Sequence, residues 1–125
     1  MSHTTRMLPI PYDVLAPDGS EVRLLVTTPR GSMAHFTLPP GQVSKPMAHH
    51  TVEEAWYILS GTGEMWRKSL QGEDITALQE GVSLTIPVGT HFQFRCTSAV
   101  PLKAVGITMP PWPGMEEAYA VKGKW

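Results

Sequence analysis

Twelve prolines and eleven glycines are scattered along all 125 residues, and this spacing constrains the fold more than any other feature. They cut the chain into apolar segments too short for good helices, which is the pattern of an all-β sandwich or barrel. Seven β-branched or aromatic-rich segments are expected as strands: residues 21–28, 32–38, 54–60, 64–70, 83–88, 91–96 and 102–108. Turn chemistry follows each, as in "APDGS" at 16–20, "PPG" at 39–41, "QGED" at 71–74 and "PVGT" at 87–90. The clearest hairpin is "ILSGTGEMW", where the turn falls at residues 60–63.

The length suits one domain that can bury a core without disulfides or a structural metal. No linker, repeat or low-complexity segment divides it. Formal net charge is −1 with no run of like charge, so neither a nucleic acid nor a membrane surface is expected as partner. A small, neutral or weakly charged ligand fits better. Cys96, the only cysteine, offers neither an internal disulfide nor a thiolate metal cluster, and is expected as a small buried hydrophobe. The N-terminus lacks a signal-type apolar core and no apolar run reaches membrane-span length, so the expected location is the cytoplasm. The Pro-rich end, "MPPWPGMEEAYAVKGKW", cannot join a sheet interior at its start. It is expected to lie extended across the barrel surface with Trp112 packed down, clasping its own subunit or a dimer mate.

Two glycine- and proline-framed motifs carry a family resemblance. Gly41 precedes "PMAHHTVEEAWYILSG", in which six residues separate Glu54 from Gly61. Further on, five residues separate Gly81 from Pro87 and one separates Pro87 from Gly89. This framework, over about the middle half of the chain, resembles the cupins. The resemblance implies a single-domain double-stranded β-helix, a jelly-roll-like barrel, with a core at about 21–109, an N-terminal arm and a C-terminal tail. It also implies a homodimer, which exposed edge strands would favour.

The resemblance makes Glu54 the counterpart of the family's carboxylate ligand. Strand alternation then puts Trp56 and Ile58 on the same inward face, with Glu53, Ala55, Tyr57 and Leu59 opposite. The histidine positions match only in part. With four residues before Glu54 the retained histidine is His49 and Met47 takes the first ligand position; with three it is His50, and Ala48 takes that position. A turn at Thr51 and Val52 favours His49, whereas a straight strand favours His50. In the second motif Phe92 stands where the family has histidine, and His91 comes one residue early, inward only if a β-bulge re-aims it.

Three chemical readings follow. His49, His50, Glu54 and His91 could between them supply three ligands to a divalent Fe, Mn, Ni or Zn ion, as a mononuclear dioxygenase or isomerase requires. Without metal, Glu54 would be desolvated in a pocket lined by Met47, Trp56, Ile58, Trp66, Phe92 and Phe94, which raises its pKa toward general acid–base use with His49. A barrel could instead sense a ligand or fill its lumen with side chains. The order of expectation is a small-molecule-binding barrel with Glu54 and His49 as its chemical pair, then the metalloenzyme, then the non-catalytic barrel.

Overall fold

The computed structural model describes residues 3–125. The described residues form eleven strands: β1 (Val14–Leu15), β2 (Glu21–Thr28), β3 (Gly31–Leu38), β4 (Met47–His49), β5 (Glu53–Ser60), β6 (Gly63–Ser69), β7 (Gly72–Leu78), β8 (Ser83–Ile86), β9 (His91–Cys96), β10 (Leu102–Met109) and β11 (Ala118–Ala120). A single 3-10 turn, Met115–Glu117, precedes the last strand. No helix of the described residues is long and apolar enough to cross a membrane.

The strands make two antiparallel sheets, one ordered β1-β2-β3-β10-β5-β8 and the other β11-β4-β9-β6-β7. The alternating pattern of β5, which lies between β10 and β8, turns one face toward the other sheet: Glu54, Trp56 and Ile58 are buried while Glu53 and Tyr57 face out. Phe92, Phe94 and Cys96 of β9 face them from the other sheet, and one cluster with Met65, Leu78, Ile86 and Leu102 fills the space between. The β5–β6 hairpin turns at Gly61, whose φ of 78° and close approach to the Pro101 backbone leave no room for a side chain.

Four strands escape the sequence pattern. β1, β4 and β11 have two or three residues each, too few for a period. β7 was expected to begin as a turn at 71–74, yet Asp74 lies within the ladder opposite Arg67. The Arg67 guanidinium donates to both Asp74 oxygens, Nε at 3.1 Å and Nη2 at 3.0 Å, so a cross-strand ion pair accommodates a poor strand former.

Both ends fold back on the barrel. The Arg23 guanidinium donates to the carbonyls of Pro9 and Ile10, tying down the N-terminal arm. The C-terminal segment clasps its own chain: β11 pairs with β4, and the amides of Lys124 and Trp125 both donate to Gln93 Oε1 at 2.9 Å.

Candidate functional site

The site begins where the chain crosses between sheets. β4 ends at His49, the backbone bends at His50 and Thr51, and β5 opens at Glu53 in the other sheet. On one straight strand, five steps from His49 to Glu54 would put the two on opposite faces. The bend removes that conflict, and both side chains point inward, each only 5 % exposed.

Glu117 holds the bend. Its carboxylate accepts the amides of His50 (2.9 Å) and Thr51 (3.0 Å) and the Thr51 hydroxyl, and its carbonyl accepts the His50 amide as well. Burial pushes the Glu117 carboxyl up, but these bonds outweigh it and hold the group below the ordinary carboxylate range. Nothing in the sequence marks Glu117 for this work, since the contact spans more than sixty positions.

His49 Nδ1 lies 3.3 Å from Glu54 Oε2. The approach is close but not aligned, and Nδ1 has no hydrogen bond among the described residues. Glu54 Oε1 accepts the indole N–H of Trp56 at 3.1 Å. The imidazole sits edge-on to Phe92 and Trp112, with ring centroids at 5.2 and 5.1 Å. Burial pushes the Glu54 carboxyl up to about 7; the Trp56 bond pulls it down and the charge of Asp18 pushes it further up. Burial pushes His49 down to about 4, and Glu117 opposes that shift. Both groups are therefore held in their uncharged forms.

The pair borders a cavity of about 470 Å³. Met47, Trp56, Phe92 and Trp112 form part of its wall, with Phe36 stacked on Trp56 at a centroid distance of 5.0 Å. Of the other expected pocket residues, Ile58 and Phe94 belong to the packed core and do not border the cavity, although Phe94 meets Trp56 edge-on at 5.1 Å. Trp66 departs from expectation: it packs on the outer face of its sheet and its indole donates to Glu73 at 2.7 Å, because alternation along β6 turns Met65 inward instead.

The four candidate metal ligands do not converge. His50 is exposed and lies against the Tyr119 ring at 4.4 Å, and His91 borders an outer groove with Lys122 and Lys124. His91 has no bulge to re-aim it, since β9 runs in unbroken register with β6 from Lys68↔His91 to Gly63↔Cys96. No group of three or more His, Cys, Asp or Glu side chains suited to a metal occurs among the described residues. With Met47 and Phe92 at the two remaining positions, the donor set does not fit a mononuclear ion, which needs at least three protein ligands.

Asp18 is the site residue that sequence reasoning missed. It lies in the β1–β2 loop, borders the cavity and is 7 % exposed. Its Oδ1 accepts the amide of Ser20 at 2.8 Å and the Ser20 hydroxyl at 2.7 Å, the Asx-turn chemistry for which "APDGS" was read only as a turn. Burial pushes this carboxyl up, against the two Ser20 bonds.

Two facing antiparallel sheets with a cavity between them, bordered by a carboxyl and a histidine from the β4–β5 crossing, define a double-stranded β-helix barrel. The chain belongs to the cupin family: the family model described as "Cupin domain" matches residues 34–108. It is 28 % identical over 102 residues to the mannose-1-phosphate guanylyltransferase of Klebsiella pneumoniae, a match covering 82 % of this chain but 21 % of that enzyme. The chain thus spans about a fifth of the length of that relative. An uncharacterized protein of Methanocaldococcus jannaschii is 30 % identical over 118 residues, covering 87 % of this chain and 91 % of its own. KdgF from Halomonas sp. shares the fold with a TM-score of 0.72 at 14 % identity, covering 88 % of this chain and 97 % of its own. Pac13, a nucleoside dehydratase, does so with a TM-score of 0.72 at 12 % identity, covering 95 % and 92 %.

Proposed function

We propose that this chain is a small-molecule-binding cupin in which Glu54 and His49 form a metal-independent proton-exchange pair. The observation that supports this reading is the 3.3 Å approach of the two groups at the wall of a largely apolar cavity. Between pH 4 and 7 Glu54 keeps its proton while His49 keeps a free ring nitrogen. An acid and a base then stand side by side where water is scarce, and can take a proton from one atom of a ligand and return one to another. Isomerisation and elimination are the reaction classes this suits. A cavity of this size lies in the range of about 300–1,000 Å³ that holds small molecules, which argues against a lumen filled by side chains.

The test combines binding with exchange. Small molecules that bind by ligand-observed NMR are incubated with the protein in D2O, and their C–H signals are followed. The reading expects one to lose a C–H signal with the wild type and to keep it with Glu54→Gln and with His49→Gln. Binding without exchange would remove the chemistry and leave a binding protein. A broad library without a binder would remove the reading.

A homodimer is proposed as well, supported by exposed apolar side chains on the described part of the N-terminal arm and on β1, among them Met7 at 87 % and Ile10 at 91 % exposure. Light scattering after size exclusion is expected to give twice the chain mass; a monomer at micromolar concentration overturns it.

A further inference from the structure

We infer that the ligand of this cavity carries a positive charge, as an amine with an apolar body, because two carboxyl groups face one largely apolar cavity and no Lys or Arg among the described residues is paired with either. The inference rests on reading this cavity as the ligand site and adds the chemical class.

The two carboxyls come from different elements, Asp18 from the β1–β2 loop and Glu54 from β5, and each is at least nine-tenths buried. Both recorded bonds of Asp18 fall on Oδ1, so Oδ2 has no hydrogen-bond donor among the described residues. Glu54 Oε2 has only the unaligned contact with His49, whose own Nδ1 is buried without a partner. That orphaned nitrogen is an independent sign that the polar end of the cavity is incomplete. Arg6 is the one Lys or Arg bordering the cavity, and it pairs with Asp13 at 3.2 Å.

A buried carboxyl without a counter-charge is normally neutralised by a proton. An ammonium can replace that proton: its N–H groups suit the free carboxylate oxygens, and its charge suits the faces of Trp56, Phe36 and Trp112. An anionic ligand would be tolerated only while both carboxyls keep their protons, and would be repelled as they ionise. A neutral polyol could use the Thr27, Ser32 and Thr108 side chains on the wall but would leave the two carboxyls without a counter-charge. The groups facing Glu54 set the pH response: Asp18 from the β1–β2 loop, His49 from β4 and Arg6 from the arm. Ammonium binding favours the ionised carboxyls, so below neutrality the protein gives up a proton on binding and affinity rises with pH.

The test uses the whole chain and three probes of one shape and different charge: benzylamine, benzyl alcohol and benzoate. Isothermal titration calorimetry at pH 6 and pH 8, in two buffers of different ionisation enthalpy, reads affinity and proton release together. Benzylamine is expected to bind about tenfold or more tightly than benzyl alcohol, with proton release at pH 6, and benzoate least of all. Asp18→Asn and Glu54→Gln, both close in shape to the native residues, are each expected to reduce the amine-over-alcohol ratio. Thermal melts identify a variant that has lost the fold, and the wild-type ratio decides the inference without it. Benzyl alcohol binding as tightly as the amine overturns the charge class and keeps the cavity as a ligand site. An amine preference unchanged in both variants overturns the role of the carboxyls. If none of the three probes binds, the inference falls, and the deuterium-exchange test still decides the wider reading.

Discussion

His49 Nδ1 stands 3.3 Å from Glu54 Oε2, and burial drives the two groups in opposite directions, the imidazole down to about 4 and the carboxyl up to about 7. Each loses its charge for the same reason, the cost of holding it away from water. Their juxtaposition has consequences for stability that can be measured without knowing the ligand.

The pair should cancel its own pH dependence. As pH rises from 4.5 to 7 the unfolded chain releases the Glu54 proton while the folded chain keeps it, so this group makes stability fall. As pH rises from 4 to 6.5 the unfolded chain releases the His49 proton that the folded chain never took up, so this group makes stability rise. Glu54→Gln leaves the histidine slope uncompensated: the variant's own unfolding free energy climbs between pH 4 and 6.5, by at most about 3 kcal/mol. His49→Gln exposes the opposite slope between pH 4.5 and 7. Urea melts across that range decide it, and parallel curves for all three proteins would refute the assignment.

Glu117→Gln should loosen the β4–β5 bend. The substitution weakens charge-assisted bonds to the His50 and Thr51 amides and the Thr51 hydroxyl, a loss of about 1–3 kcal/mol. The wild-type bonds stabilise the fold above the ordinary carboxylate pKa and are lost as acid titrates Glu117 below it, so the difference between the two proteins should shrink at low pH. Amide exchange should speed up first at His50 and Thr51; protection unchanged there would contradict the clamp.

The β framework was legible because its signals are local. Alternation along β5 put Glu54, Trp56 and Ile58 on one face and Tyr57 on the other, as found. The choice between His49 and His50 turned on whether 51–52 bends, a question about the carboxylate of Glu117, which has no local signature. Asp18 was hidden differently. Its turn chemistry is sufficient reason for an aspartate at that position, so its second role at the cavity leaves no mark in the sequence. Trp66 misled because an aromatic residue on β6 can be buried from either face, and the β7 and tail segments that cover the outer face lie outside its local pattern.

Trp56→Phe tests what holds the Glu54 carboxyl from rising further. The indole N–H donates to Oε1 and favours the ionised form. Phenylalanine keeps the ring beside Phe36 but removes the donor, so the Glu54 carboxyl, followed by carbon-13 NMR, is expected to titrate at higher pH than in the wild type. A downward shift would mean that water enters the space left by the larger ring and outweighs the lost bond.

The last prediction concerns what separates this cavity from a metal centre. Met47 and Phe92 are paired directly across β4 and β9, and both border the cavity beside His49 and Glu54. If the shortage of donors is what keeps a divalent ion from binding tightly, Met47→His with Phe92→His should supply it, bringing the set to three histidines and a carboxylate. Elemental analysis after loading with Ni or Zn is expected to find near-stoichiometric metal in the double variant and far less in the wild type, with the variant's gain lost on adding Glu54→Gln. Two losses of packed apolar side chains will cost stability, so a thermal melt with and without metal is needed beside it; metal binding should recover part of that loss, since an ion that binds only the folded chain stabilises it. Stoichiometric metal in the wild type, lost in Glu54→Gln, would instead show that two side chains suffice with water or ligand completing the shell, and would put the metalloenzyme ahead of the metal-independent reading.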